Sequence, residues 1–254
     1  MPSLVRQAPG FAALVAVAVA LGACAAEPQP IERVRVLRLN PGALMAFPAR
    51  GSRTAAVRST TLTAARGPQL PPAMAVPQIG SVAAGAPSNG RLIKGLQLPG
   101  TGPDWVTYDP ILHRVPNRDY RRWGTDRLLA FLLYVLRDYR LANAGVPQVV
   151  IGDLSLPHGG PFGSDFGGLG HRSHQNGLDV DVYYPRLDRA LAPPDSVAQV
   201  DRALAQDLVN RFVGAGAQYA FVGLRVGLGG PAGIVQAIRY HDDHLHVRIA
   251  NWRR

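Results

Sequence analysis

The sequence predicts an α+β fold, with a mostly antiparallel central sheet flanked by helices in a single domain over residues 81–254. Three observations predict it. RLLAFLLYVLRDYRLA carries leucines and aromatics at helical spacing. Four short apolar runs, PQVVIGD, LDVDVYY, QYAFVGL and HLHVRI, read as strands, and they do not alternate with helices as regular βαβ units. Five of the seven histidines fall into two short clusters, and each cluster ends in one of those strand-like runs.

In chain order, residues 1–23 read as an export signal. Arg6 and the free amine give a positive start, and Phe11 to Leu21 is an apolar run. That run is too short to span a bilayer, which takes about 20 residues. Leu21-Gly22-Ala23-Cys24 resembles a bacterial lipobox, which places cleavage before Cys24 and a diacylglyceryl anchor on its thiol. A lipidated Cys24 explains why an exported chain keeps one cysteine, with no intramolecular disulfide available. An ordinary signal cut near Ala23-Cys24-Ala25 is the other reading. Both place the protein in the cell envelope or periplasm, and the first adds a membrane anchor.

Residues 24–80 read as a disordered tether rich in Pro, Ala and Arg, without a sustained helical period. Val34 to Leu39 alone alternates like an isolated strand. The first 80 residues hold eight Arg and two Glu, so +6 of the formal +10 charge lies there. Such a segment attracts anionic surfaces, and in an envelope these are lipid headgroups, teichoic-type polymers and peptidoglycan carboxylates. A solvated linker explains the same charge. A pI near 10.6 ordinarily suggests nucleic acid. The export signal and the lack of any nucleic-acid motif argue against that partner.

The remaining chain is long enough to bury a substantial core. Thr125-Asp126 starts a helix that Gly145 and Pro147 end, with Leu128, Phe131, Leu132, Val135, Leu136 and Tyr139 as its buried stripe. PQVVIGD follows as a buried strand. Gly159 to Gly170 is a glycine-rich loop without the phosphate-cradling pattern, and it forms one wall of a cleft beside His171. After the LDVDVYY strand, Asp201 to Phe212 reads as a second helix stopped by Gly214 and Gly216. QYAFVGL and HLHVRI complete the set.

The histidine clusters carry the chemistry. Imidazole and carboxylate are zinc ligands, and a catalytic zinc takes three protein ligands while keeping a fourth position for water. His174, Asp181 and His246 supply two imidazoles and one carboxylate. Residues two apart on a strand share a face, so Asp179 sits beside Asp181 and His244 beside His246. Asn176-Gly177 is a turn that brings the chain from His174 back to Asp181. HExxH is absent, so the site is not borne on a helix, and no S-x-x-K or G-x-S-x-G supplies a serine nucleophile. Each cluster taken alone also reads as ordinary surface or core histidines. Asp179, Asp242 and Asp243 read either as carboxylates that orient a histidine or as local backbone caps.

SHQNGLDVD followed by HDDHLHVR resembles the penicillin-insensitive murein endopeptidases. The wider group includes lysostaphin-type peptidases, D-Ala-D-Ala metallopeptidases and the Hedgehog amino-terminal domain. Its signature is HxxxxxxD followed by HxH, and His174 to Asp181 and His244-x-His246 match it. The endopeptidase branch adds IGD-x-x-x-P-x-GG, matched by IGDLSLPHGG, and two further histidines, matched by His171 and His241. The single cysteine departs from the branch's better-known members. The resemblance implies one Zn2+ per chain held by His174, Asp181 and His246, with peptidoglycan cross-links of the D-alanyl–meso-diaminopimelyl type as substrate. It implies His244 as the catalytic histidine, and His171 and His241 as cleft residues that bind or polarise the scissile carbonyl. Asp153 is a weaker candidate, since capping the loop after the VVI strand explains it equally well. A D,D- or L,D-carboxypeptidase shares the same metal core, and a non-catalytic zinc-containing lipoprotein that binds peptidoglycan is a third reading.

Overall fold

A computed structural model describes residues 75–163 and 171–251. The export signal, the tether up to residue 74 with Cys24 and Val34–Leu39, and positions 164–170 of the glycine-rich loop lie outside the described residues.

Among the described residues, ten strands and two α-helices follow in order: β1 Val82–Ala86, β2 Asn89–Ile93, β3 Leu96–Gln97, β4 Trp105–Thr107, β5 Trp123–Gly124, α1 Asp126–Ala142, β6 Val149–Ile151, β7 Asp179–Tyr183, α2 Arg202–Gly214, β8 Tyr219–Gly223, β9 Val235–Ile238 and β10 His244–Arg248. Six of the strands form one sheet in the order β4-β6-β7-β10-β8-β9. Its three central pairings are antiparallel and its two edge pairings parallel. The α+β expectation holds, with one correction. β4 and β6 are parallel neighbours joined through α1, a βαβ crossover. The sequence hid it because β4 is only three residues long.

α1 forms where the leucine stripe predicts. Thr125 caps it, its side chain accepting a hydrogen bond from the Leu128 amide. Leu128, Leu132, Val135, Leu136 and Tyr139 are buried, while Phe131 is half-buried against Phe212 of α2. α2 begins after its cap residue Asp201 and runs through Gly214 rather than stopping before it. Both helices cover one face of the sheet, where Val180 and Val182 of β7 and Leu245 and Val247 of β10 belong to the same core cluster. Each large apolar side chain buried there contributes on the order of 1.5–3 kcal/mol.

The opposite face is polar and holds both histidine clusters. β7 and β10 are the two middle strands, and their register sets His246 opposite Asp181, His244 opposite Tyr183, and Arg248 opposite Asp179. The β1–β2 hairpin, absent from the sequence reading, covers the loop that precedes β7. The amide of Gln175 donates to Pro87 O (3.0 Å), and Asn176 Nδ2 donates to Gly85 O (3.2 Å). Gly177 has φ of 77°, and a Cβ there would stand 2.7 Å from Leu92 Cδ1. The turn therefore needs glycine for both conformation and space.

Candidate metal centre

His174, Asp181 and His246 meet at one point. His174 Nε2 lies 3.2 Å from His246 Nδ1 and 3.3 Å from Asp181 Oδ1, and His246 Nδ1 lies 3.0 Å from Asp181 Oδ1. All three residues are buried, His174 to 1% exposure. Donor atoms about 2.0–2.1 Å from a tetrahedral zinc stand roughly 3.3 Å from one another, so the three edges fit such an ion. His174 reaches this point on strained backbone, with φ of 66°. A left-handed conformation costs a non-glycine residue roughly 1–2 kcal/mol and gathers at functional sites. The Ser155 hydroxyl, donating to the His174 carbonyl, helps to hold it there.

The carboxylates around the cluster fix which nitrogens face it. A carboxylate only accepts hydrogen bonds, so the histidine nitrogen beside it carries the proton. Asp179 Oδ1 accepts from His246 Nε2 (2.9 Å), which turns Nδ1 toward His174 and Asp181. Asp243 Oδ1 accepts from His244 Nδ1 (2.7 Å), which leaves Nε2 3.7 Å from Asp181 Oδ1. His241 Nδ1 donates to the Arg239 carbonyl at 2.7 Å, and its ring centre lies 4.7 Å from that of His244. Asp153 Oδ2 accepts from His171 Nε2 at 2.9 Å. Of the three carboxylates left open by the sequence, Asp179 and Asp243 orient a histidine, whereas Asp242 pairs with Arg225.

A second trio overlaps the first. His171, His174 and Asp181 each offer a donor atom, all within 4.8 Å of one another. His171 is the looser member, with Nδ1 3.9 Å from Asp181 Oδ2 and Nε2 committed to Asp153. The trio containing His246 has the shorter edges and the fitting geometry.

Asp153 stands on a buried scaffold that sequence reading missed. Arg121, fully buried, forms a two-pronged ion pair with it, through Nε to Oδ1 at 2.7 Å and through a terminal nitrogen to Oδ2. Asn117 Nδ2 adds a bond to Oδ1 at 2.9 Å. Gly152 and Asp153 together oppose Asp181, because the Gly152 amide donates to Asp181 O and the Asp181 amide to Asp153 O. Two residues facing one is a bulge, a device that re-aims side chains beside active sites. No periodicity or motif marks Arg121 or Asn117, so the sequence held no signal for them.

Burial and charge compete at each group. Burial would push the His246 imidazole down, but Asp179 and Asp181 outweigh it and carry the pKa up to about 9. At His244 the same competition ends with the pKa raised, through Asp181 and Asp243. Burial wins at His174, which is lowered, and at His241, where the nearby His244 reinforces it and the pKa falls to about 4. For Asp153, burial is outweighed by the bonds from His171 and Arg121, and the pKa drops to about 2.

The sequence pattern of the family described as "Penicillin-insensitive murein endopeptidase" matches residues 83–214, just over half of the chain. The chain belongs to that family. The match contains His171, His174 and Asp181, while the HxH pair lies beyond it. A penicillin-insensitive murein endopeptidase of Escherichia coli O157:H7 is 34% identical over 113 residues, covering 43% of this chain and 36% of the relative. One from Escherichia coli O1:K1 / APEC is 35% identical over 111 residues, with the same coverage. The chain thus spans about a third of the length of the curated relatives it matches.

Proposed function

We propose that this family member is a zinc-dependent endopeptidase that hydrolyses peptide cross-bridges of peptidoglycan at a D-alanyl–meso-diaminopimelyl type bond. One observation carries the reading: three buried nitrogen and oxygen atoms of His174, Asp181 and His246, from two distant stretches of chain, stand 3.0–3.3 Å from one another. His174, Asp181 and His246 hold one zinc per chain. When bound there, zinc supplies a Lewis acid that polarises the amide carbonyl and brings the pKa of a coordinated water to about 7.

The chain's own residues do the rest. His244, fixed through Asp243, presents Nε2 to accept the proton of the attacking water and return it to the leaving amine. His241, neutral near pH 7 and fixed through the Arg239 carbonyl, offers Nε2 as an acceptor for a substrate N–H. His171, its Nε2 held by Asp153 Oδ2, lines the cleft beside the scissile carbonyl. Phe162 and Phe221 wall the cluster, 5.2 Å from the His171 ring and 5.5 Å from the His246 ring. These apolar walls limit water and strengthen each polar contact. No serine ester forms in such a reaction, so β-lactams, which acylate serine, leave it untouched.

Digesting intact sacculi with the zinc-loaded protein and separating the muropeptides tests this directly. Loss of cross-linked dimers is expected. Loss of a terminal D-alanine alone would make the protein a carboxypeptidase, and one zinc per chain with no turnover would leave a binding lipoprotein. The export signal supports placement in the cell envelope, with a lipid anchor on Cys24. Among the described residues no helix is long and apolar enough to cross a membrane. Mass spectrometry of the mature N-terminus is expected to find a diacylated Cys24, and an unmodified chain starting after it would remove the anchor.

A further inference from the structure

Two cavities adjoin. The first, about 840 Å³, contains the histidine clusters. The second, about 1050 Å³, lies beyond a wall formed by Pro110, Tyr183, Arg239, Tyr240 and Asp243, residues that line both. Each is large enough for a small-ligand site, typically about 300–1,000 Å³. A peptidase that trims a chain end needs one of them; a cross-link brings two arms.

The wall carries an available cation. Arg186 and Arg225 also line the second cavity, but Arg186 is held by Asp188 and Gln199, and Arg225 by Asp242. Among the described residues no acceptor engages the Arg239 guanidinium. Its backbone is fixed, because the Arg239 carbonyl accepts from His241 Nδ1. The next residue, Tyr240, is 88% exposed and has φ of 64°. A bulky aromatic held in the left-handed region is strained, strain of that kind gathers at ligand sites, and both residues line the two cavities.

We infer that the second cavity receives the amine-side arm of the cross-link and that Arg239 binds the free carboxylate on that arm. The inference rests on the proposed reading of the metal site. In a D-alanyl–meso-diaminopimelyl bond the scissile nitrogen sits on a carbon that also bears a free carboxylate. A guanidinium on the shared wall, one residue from His241's neighbour Tyr240, is placed for that group, and its planar fork matches a carboxylate with two parallel bonds. Tyr240 supplies a flat face beside it.

The test measures binding of a product rather than turnover. The zinc-loaded full chain is titrated calorimetrically with the tripeptide L-Ala-γ-D-Glu-meso-diaminopimelate and with its analogue amidated at the D-centre carboxylate. The free acid is expected to bind about tenfold tighter, the scale of a hydrogen bond to a charged group. Arg239→Ala is expected to erase the preference, Arg239→Lys to restore part of it, and Ala192→Trp, which fills the second cavity, to weaken both ligands, all with zinc content unchanged. Equal affinity for the two tripeptides, binding of neither, or a preference that survives Arg239→Ala overturns the inference. Sacculus cleavage without the preference sinks the carboxylate site and spares the hydrolase; the preference without cleavage does the reverse.

Discussion

β7 and β10 run side by side, and their two faces carry opposite chemistry. One presents Val180, Val182, Leu245 and Val247, each with 0% exposure, to the helices. The other presents Asp179, Asp181 and His246, almost as deeply buried, to one another, with His244 half-buried beside them. A strand's period of two lets a single backbone serve both. The apolar face draws its stability from area removed from water. The polar face spends some of that stability to hold groups whose charges need partners. The two faces should therefore fail separately when altered.

The sharpest break is His246→Ala beside Leu245→Ala. The first should lower cross-link cleavage on the order of 10³-fold, because the carbonyl loses several kcal/mol of electrostatic stabilisation. It should abolish stoichiometric zinc in elemental analysis, with the circular dichroism spectrum kept. The second, one residue away, should lose about 2–5 kcal/mol in urea unfolding while zinc per folded chain and kcat stay near the parent values. Leu245→Ala molecules that fold yet lose zinc would show that the faces are coupled.

Asp179→Asn probes the polar face more gently. Its carboxylate orients His246 and also accepts from Arg248 Nε at 2.6 Å. Zinc affinity should fall about 10- to 100-fold by chelator competition, with a smaller effect on unfolding. The smallest effect is the acid limb of stability. Asp153 has a folded pKa of about 2 against an ordinary 3.8, so it stabilises the fold above the higher value and ceases to as pH falls through the lower one. Roughly 2 kcal/mol should disappear between about pH 4 and pH 2. Asp153→Asn should flatten that limb, and should be less stable near neutral pH because Arg121 is left buried without its carboxylate.

These contrasts track what the sequence disclosed. Each central strand and both helices were legible because period and composition agree locally, as in LDVDVYY and RLLAFLLYVLRDYRLA. The meeting of His174, Asp181 and His246 was legible from spacing and family signature together. The register that sets His246 opposite Asp181 was not, since pairing depends on partners 65 residues apart. β4 and the β1–β2 hairpin are short, and their polarity follows no clear alternation, so they gave no signal. Arg121 was hidden for a different reason. An arginine in a charged stretch reads as solvated, and only the fold reveals that it is sealed beneath His171's partner.

Gly177 joins these layers. Its carbonyl accepts from the Thr125 amide and hydroxyl, its amide donates to Ser155 Oγ, and its bare Cα leaves room for Leu92. The residue that caps α1 therefore also pins the turn three residues after His174. Anyone trimming this protein to a smallest working fragment should start upstream of the hairpin. A shortened version beginning at α1 would keep all five clustered histidines and still lose the brace that aims His174.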